Sequence, residues 1–137
     1  MTAYVLDCSV AATWIFPEEA AQDTDALFHL AARDGAAIPN LFTLELANLL
    51  LVSERKGRIT INTMVQSVAL ITALSLETDS HTANHATSKT LELARTHQLT
   101  SYDAAYLELA LRLKLPLATR DKALIAAGRA EGVKILP

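Results

Sequence analysis

Tyr4-Val5-Leu6-Asp7-Cys8-Ser9-Val10-Ala11-Ala12-Thr13-Trp14-Ile15-Phe16-Pro17 decides the fold. Tyr4-Val5-Leu6 is a short apolar run that reads as a strand, and Asp7 ends it. Ser9 to Phe16 then reads as a helix. Pro17 stops it, because proline has no amide hydrogen to give and its ring clashes with the preceding turn. Working outward, the same step recurs. Glu18 to Arg33 reads as a second, amphipathic helix with Leu27, Leu30 and Ala31 on one face, broken by Gly35. Ala36-Ala37-Ile38 is a second strand closed by Pro39-Asn40. Thr43 to Lys56 is a strongly apolar helix ended by Gly57, and Thr60 to Ala73 is another, capped by Asn62 or Thr60. Leu74 to Glu77 reads as a short strand, Ser80 to His97 as a helix, and Thr100 or Ser101 caps a helix over Tyr102 to Leu113. Leu115 to Thr119 is a strand, Asp121 to Ala130 a helix, and Val133 to Leu136 the final strand. Short strands separated by helices predict βαβ units and a mainly parallel sheet covered on both faces, an α/β fold.

Composition agrees with that class. The 137 residues suit one domain, expected over 1–137, and 51% hydrophobic with 20% charged residues is a globular balance. Aromatics are only 5%, so aliphatic side chains and Ala must fill the interior. A mean hydropathy of +0.24 predicts either a well-buried α/β core or apolar surface kept for a partner. Polar residues interrupt the longest apolar stretch, Ile59 to Leu76, so no membrane span is expected. The N-terminus has no positive region leading into an apolar run, so no secretory signal is expected either. Cys8 is the single cysteine and cannot form an internal disulfide, which fits a reducing cytoplasm. The formal net charge of −3 argues against a nucleic-acid partner until the acids are placed. If four of the 15 acidic residues hold cations, 12 basic residues face 11 acidic ones, a balance of +1. Charge alone decides nothing.

Four carboxylates stand in awkward places. Asp7 lies at the carboxyl end of the first strand, where open α/β sheets place ligands; a helix N-cap also explains it. Glu45 has Leu41, Leu49 and Val52 at helical spacing, so it faces the interior or a cleft, where an unpaired charge costs several kcal/mol. A favourable acid in a first helical turn accounts for its position but not its face. Asp103 sits over Tyr106, Leu107 and Ala110, and is also the third residue of a capping box begun by Thr100. Glu108 and Arg112 lie elsewhere, as an exposed i,i+4 ion pair. Asp121 follows Leu117-Ala118-Thr119 at another strand end; as a helix cap beside Arg120 and Lys122 it would be ordinary. Each acid lies at the carboxyl end of a strand or opens the helix beyond one. Carboxylates gathered there could not all stay ionised unaided. A divalent cation resolves this, and all-oxygen ligation favours Mg²⁺ or Mn²⁺ over zinc. His81 and His85 have i,i+4 spacing but lack a third ligand, so solvated side chains are expected.

Related chemistries are excluded by single residues. A receiver domain needs an acidic pair after the first strand, and Cys8 stands beside Asp7. A haloacid-dehalogenase phosphatase needs Asp-x-Asp, and Ser9 holds the second position. An adhesion-type metal site needs Asp-x-Ser-x-Ser, and Ala11 breaks it.

Asp7-Cys8-Ser9-Val10, Pro39-Asn40-Leu41 through Glu45-Leu46-Ala47-Asn48, Thr100-Ser101-Tyr102-Asp103-Ala104-Ala105-Tyr106 and Leu115-Pro116-Leu117-Ala118-Thr119-Arg120-Asp121 resemble PIN-domain signatures, in order, over essentially the whole chain. The resemblance is closest to the VapC-type toxins of toxin–antitoxin pairs. It implies a Rossmann-like, three-layer sandwich around four or five parallel strands, and a Mg²⁺- or Mn²⁺-dependent endoribonuclease acting on RNA. It also implies a homodimer and a cognate antitoxin covering the active site. Carried across, Asp7, Glu45, Asp103 and Asp121 become the acidic cluster, with Asp7, Asp103 and Asp121 on the metal. Ser9 and Thr119 become hydrogen-bond partners behind it, and Arg120 and Lys122 candidate RNA phosphate contacts. Trp14-Ile15-Phe16 is a candidate partner patch, or simply helix packing against the sheet. One departure concerns RNA: many relatives have a basic residue just before the tryptophan, where this chain has Thr13. The alternatives are a catalytically silent PIN-like binding module and a DNA-directed nuclease, since nothing here reads a 2′-hydroxyl.

Overall fold

Val5 and Leu6 are both fully buried, which consecutive strand residues achieve only when both faces of a sheet are covered. They form β1 (Val5–Leu6), the central strand of the computed structural model, which describes residues 2–137. Beside it lie β2 (Ala36–Ile38) and then β3 (Leu76–Thr78) on one side, β4 (Leu117–Ala118) and then β5 (Ile135–Leu136) on the other. All four pairings are parallel; Val5 is registered on Ala37 and on Leu117. The predicted α/β class is therefore the one observed, with five parallel strands flanked by helices.

The order β3-β2-β1-β4-β5 means the chain builds outward from β1, then returns to β1's other side. The crevice between β1 and β4, at the strands' carboxyl ends, is the switch point where such sheets hold ligands. Four helices follow strands at that same edge: α1 (Cys8–Ile15), α3 (Phe42–Arg55), α5 (Thr82–His85) and α8 (Lys122–Ala130). The chain is completed by α2 (Gln22–Asp34), α4 (Ile61–Thr72), α6 (Leu91–His97) and α7 (Ser101–Leu113). The core is aliphatic, as the scarcity of aromatics requires: Leu6, Ile38, Ile71, Leu93, Leu107, Leu109, Leu117 and Leu124 fill it, with Tyr4, Phe16, Phe42 and Tyr106 as its large rings.

Several boundaries differ from the sequence reading, each for a local reason. The predicted helix over Glu18 to Arg33 is split: Pro17–Glu19 is a single 3₁₀ turn, Ala20 and Ala21 are extended, and α2 starts only at Gln22. The helix expected from Ser80 starts at Thr82 because Asp79 takes the His81 amide (3.2 Å) and the Thr82 hydroxyl (2.8 Å), a turn that competes with helix. Its middle, Ala86–Thr90, is a π-turn between α5 and α6. Strands β3, β4 and β5 are shorter than predicted, and β3 begins two residues later than its expected start. Thr60, not Asn62, caps α4, accepting from the Thr63 amide at 3.2 Å.

Two further expectations are corrected. Ile15 and Phe16 are buried core residues, and Trp14 is half-buried, edge-on to Phe28 with its Nε1 donating to the Thr24 carbonyl (2.8 Å). That segment is packing, not a free patch. The Glu108–Arg112 pair exists but is not exposed: the Glu108 side chain is 4% accessible, and Asp79 joins the pair. Exposed apolar surface is found instead on α3 and α4. Leu44 and Leu51 lie seven residues apart on α3, and Ile61, Val65 and Val68 form one stripe of α4. Among the described residues no helix is long and apolar enough to cross a membrane.

Candidate metal centre

Asp7 follows β1 directly and is only 6% exposed, a buried carboxylate in a β-type conformation at the mouth of the switch point. The ordinary explanation, an N-cap, does not hold: the Asp7 side chain makes no capping bond to the backbone of α1. Its Oδ2 instead accepts from the hydroxyls of Ser9 and Thr119, both at 2.7 Å. Those two side chains arrive from either side of the crevice, Ser9 on α1 and Thr119 just after β4. Ser9 Oγ also accepts the Arg120 amide at 2.8 Å, and Thr119 Oγ1 the Asp121 amide at 3.1 Å. This lattice pins the start of the β4–α8 loop to the end of β1.

Asp121 caps α8, its Oδ1 taking the Leu124 amide at 3.0 Å. Asp103 is the third residue of α7, whose first turn Thr100 caps by accepting the Asp103 amide at 3.1 Å. The capping reading holds for Asp121, whose cap uses only one of its oxygens, and for Thr100 at the start of α7. The return bond that a capping box requires, from the Thr100 amide to the Asp103 carboxylate, is not made. Glu45 lies in the first turn of α3. Its Oε1 accepts from the Tyr106 hydroxyl at 2.5 Å. A pattern results: each hydrogen-bonded acid has one oxygen occupied by the protein and one left over.

The four acids are close enough to feel each other. Burial raises the Asp7 carboxyl above the ordinary range against the Ser9 and Thr119 bonds, and the Asp121 charge adds to the rise. Burial also raises Glu45, opposed by the Tyr106 bond and reinforced by the charges of Asp7 and Asp103. Asp103 is raised by burial, then by Asp121 and Asp7. No lysine or arginine among the described residues lies within ion-pair distance of any of the four. Arg120 and Lys122, read from sequence as possible neutralisers of Asp121, do not pair with it. Arg120 Nη1 reaches the Glu19 carbonyl at 3.2 Å, and both side chains are exposed. His81 and His85 belong to no metal-ligating group.

As they stand, no three Asp, Glu, His or Cys side chains among the described residues close into a cage. Mutual repulsion explains an open arrangement. The donor set itself fits a hard divalent cation: all oxygen, buried at Asp7 and half-buried at the other three, and lacking any protein countercharge among the described residues. Free oxygens offered singly suit the octahedral preference of Mg²⁺ or Mn²⁺ better than Ca²⁺, which takes more oxygens and often bidentate carboxylates.

A pH dependence follows. Asp7, Glu45 and Asp103 are raised in the folded state, so each favours folding fully below its unfolded value of about 4 and loses that contribution as pH rises through the folded value. In chelator, the melting temperature is expected to be higher at mildly acidic than at neutral pH. Excess Mg²⁺ should remove most of that difference by stabilising the neutral-pH form. Thermal scans with and without chelator measure both, and a chelated protein that melts higher at neutral pH would contradict the assignment.

Sequence reasoning missed two parts of this site. Tyr106 read only as a core residue, although its spacing of three from Asp103 puts both on one face of α7. Cys8 sits among them, its thiol 3.8 Å from the Phe42 carbonyl and 4.0 Å from the Tyr106 hydroxyl. Burial, then the Glu45 and Asp7 charges, push that thiol far up, so it stays protonated and unreactive.

A search of curated protein sequences gave no match. Among solved structures, the crystal structure of PAE2754 from Pyrobaculum aerophilum superimposes with a TM-score of 0.71 at 22% identity, covering 98% of this chain and 83% of that one. At that identity the likeness speaks for the fold. The PIN domain family model matches residues 4–130, from the residue before β1 to the end of α8. The chain therefore belongs to the PIN-domain family, whose fold is that of metal-dependent nucleases.

Proposed function

We propose that this chain is a divalent-metal-dependent endoribonuclease, the toxin of a type II toxin–antitoxin pair, acting in the cytoplasm. The observation that carries the catalytic part is the acidic cluster: four carboxylates, from the end of β1, α3, α7 and the β4–α8 loop, buried or half-buried, three of them raised by burial and by neighbouring acid charges, and all without a basic partner among the described residues. A protein keeps such a cost where function requires it. Asp7, Asp103 and Asp121 would hold the cation, Mg²⁺ or Mn²⁺. When bound it supplies Lewis-acid stabilisation of phosphate oxygens and a water of lowered pKa.

The chain's own residues do the rest. Ser9 and Thr119 fix the Asp7 carboxylate by donating to one oxygen, so the other points in a single direction. In this reading Glu45, with one oxygen free, orients the attacking water and accepts its proton, a role that passes to Asp121 if a second cation binds. Arg120 and Lys122, exposed beside Asp121, are available to phosphates of the RNA. The exposed stripes of α3 and α4 are surface of the kind a protein partner covers, which supports an antitoxin or a second copy of the chain.

The test is cleavage of total RNA with Mg²⁺ or Mn²⁺, mapping the ends produced, beside the same reaction in excess EDTA. Cleavage is expected only with the metal, and only of RNA when single-stranded DNA of matched sequence is offered. Undiminished cutting in EDTA would refute the metal assignment; preference for the DNA would move the substrate.

A further inference from the structure

We infer that Tyr106 is a positioning residue: its buried hydroxyl holds Glu45 at the acidic cluster against the repulsion of the other carboxylates. This rests on the nuclease reading above and concerns how one of its acids is kept in place.

The geometry distinguishes this tyrosine from an ordinary core ring. Tyr4 and Tyr106 are both completely buried. A buried phenol must find an acceptor, and the usual one is a backbone carbonyl. Tyr4 does this, donating to the Leu27 carbonyl at 2.6 Å. Tyr106 instead donates to the Glu45 carboxylate at 2.5 Å. Its other polar neighbour is the Cys8 thiol, 4.0 Å away and a far weaker partner than a carboxylate; that thiol also lies 3.8 Å from the Phe42 carbonyl. Phenylalanine would satisfy the packing at this position without any polar atom to pair. The hydroxyl therefore earns its place through Glu45.

Glu45 needs such a restraint. It is half-buried on α3, next to Leu44, which is 75% exposed, so solvent is within reach of its carboxylate. Asp7 and Asp103 both repel it. A glutamate has three rotatable side-chain bonds, and an unrestrained one would turn outward to water. The Tyr106 bond is the sole side-chain hydrogen bond between α3 and α7 among the described residues. Because Tyr106 is three residues after Asp103, α7 sets Asp103 and the restraint on Glu45 from one rigid face. The bond occupies Oε1 and leaves Oε2 without a protein hydrogen bond.

The experiment uses Tyr106→Phe, Glu45→Gln and the double variant of the full chain. It reads kcat and KM on RNA, Mn²⁺ affinity by titration without RNA, and melting temperature. A hydrogen bond to a charged group corresponds to about 10- to 100-fold, so Tyr106→Phe is expected to lower kcat by that factor. KM should stay within about twofold, because no RNA contact is lost. Mn²⁺ affinity should fall several-fold, because a Glu45 turned outward withdraws a negative charge from beside the cation that Asp7, Asp103 and Asp121 would hold, while the melting temperature moves little because the ring still fills its place. Added to Glu45→Gln, Tyr106→Phe should change kcat by less than about twofold, since its target is already altered. Losses that multiply in the double variant would overturn the inference, as would wild-type kcat and Mn²⁺ affinity in Tyr106→Phe. If the wild-type protein cuts RNA equally well in chelator, the nuclease reading fails separately. The RNA-free titration then decides Tyr106: a weakened affinity supports it, an unchanged one ends it.

Discussion

Asp7→Asn is expected to slow RNA cleavage by on the order of 10³-fold while leaving the metal-free fold at least as stable as the wild type. The first half follows from losing one charged oxygen of a cation site that contributes several kcal/mol to the transition state. The second half follows from the site itself. Asp7 is 6% exposed, has no basic partner, and is raised by burial, so its charge costs folding energy at neutral pH. Asparagine keeps an oxygen that accepts from Ser9 and Thr119 and removes the charge. It also disturbs no helix cap, because Asp7 makes no cap bond. Activity and stability should thus move in opposite directions, the signature of a residue kept for function. Asp103→Asn should behave alike. The paired measurements are cleavage rate in Mg²⁺ and melting temperature in chelator at neutral pH. A variant that loses activity and melts well below wild type would mean Asp7 is structural.

That opposition also shows what a sequence can and cannot disclose. The strand-to-helix steps were legible because their punctuation is local: Asp7 after β1, Pro17 after α1, Gly35 after α2, where the backbone takes a φ of 87°. Ala36 to Ile38 was read to the residue, bounded as it is by Gly35 and Pro39. Ends without such punctuation were read less well. The α2 start depends on two extended alanines that carry no signal, and the α5 start on an Asp79 turn whose reach to Arg112 is tertiary. The acids were legible as individuals because each breaks an apolar pattern. What surrounds them was not. Tyr106 fits the apolar face of α7 perfectly well, and only coordinates reveal that its hydroxyl meets Glu45, 61 residues away. Glu108 and Arg112 gave the opposite error. Their i,i+4 spacing is common on solvated helices, and nothing local says that this face is covered.

Arg112→Met is expected to destabilise the fold by about 3–5 kcal/mol, a large share of the roughly 5–15 kcal/mol typical of a domain. The guanidinium serves two acids at once. Nη1 and Nη2 meet both oxygens of Asp79 at 3.1 and 2.7 Å, while Nε and Nη2 meet Glu108 at 2.9 Å each. Side-chain accessibilities are 22% for Arg112, 7% for Asp79 and 4% for Glu108, so removing the cation strands two negative charges with little access to water. Lysine is no substitute, because one ammonium cannot reproduce two planar two-point contacts. The Arg112 bond pulls Asp79 down to about 2. Asp79 therefore supports folding fully above its unfolded value of about 4, and the support is lost as pH falls through about 2. This is opposite in sign to Asp7, Glu45 and Asp103. Since Asp79 follows β3 at the same edge of the sheet, one edge carries two kinds of acid: one neutralised by the protein, the other left for a ligand. Mg²⁺ should accordingly do nothing for Arg112→Met, whereas Asp79→Asn with Glu108→Gln in the same chain should recover most of the loss. Denaturant unfolding of the single and triple variants measures this, and a loss below about 1 kcal/mol for Arg112→Met would place the three side chains in solvent-screened contact instead.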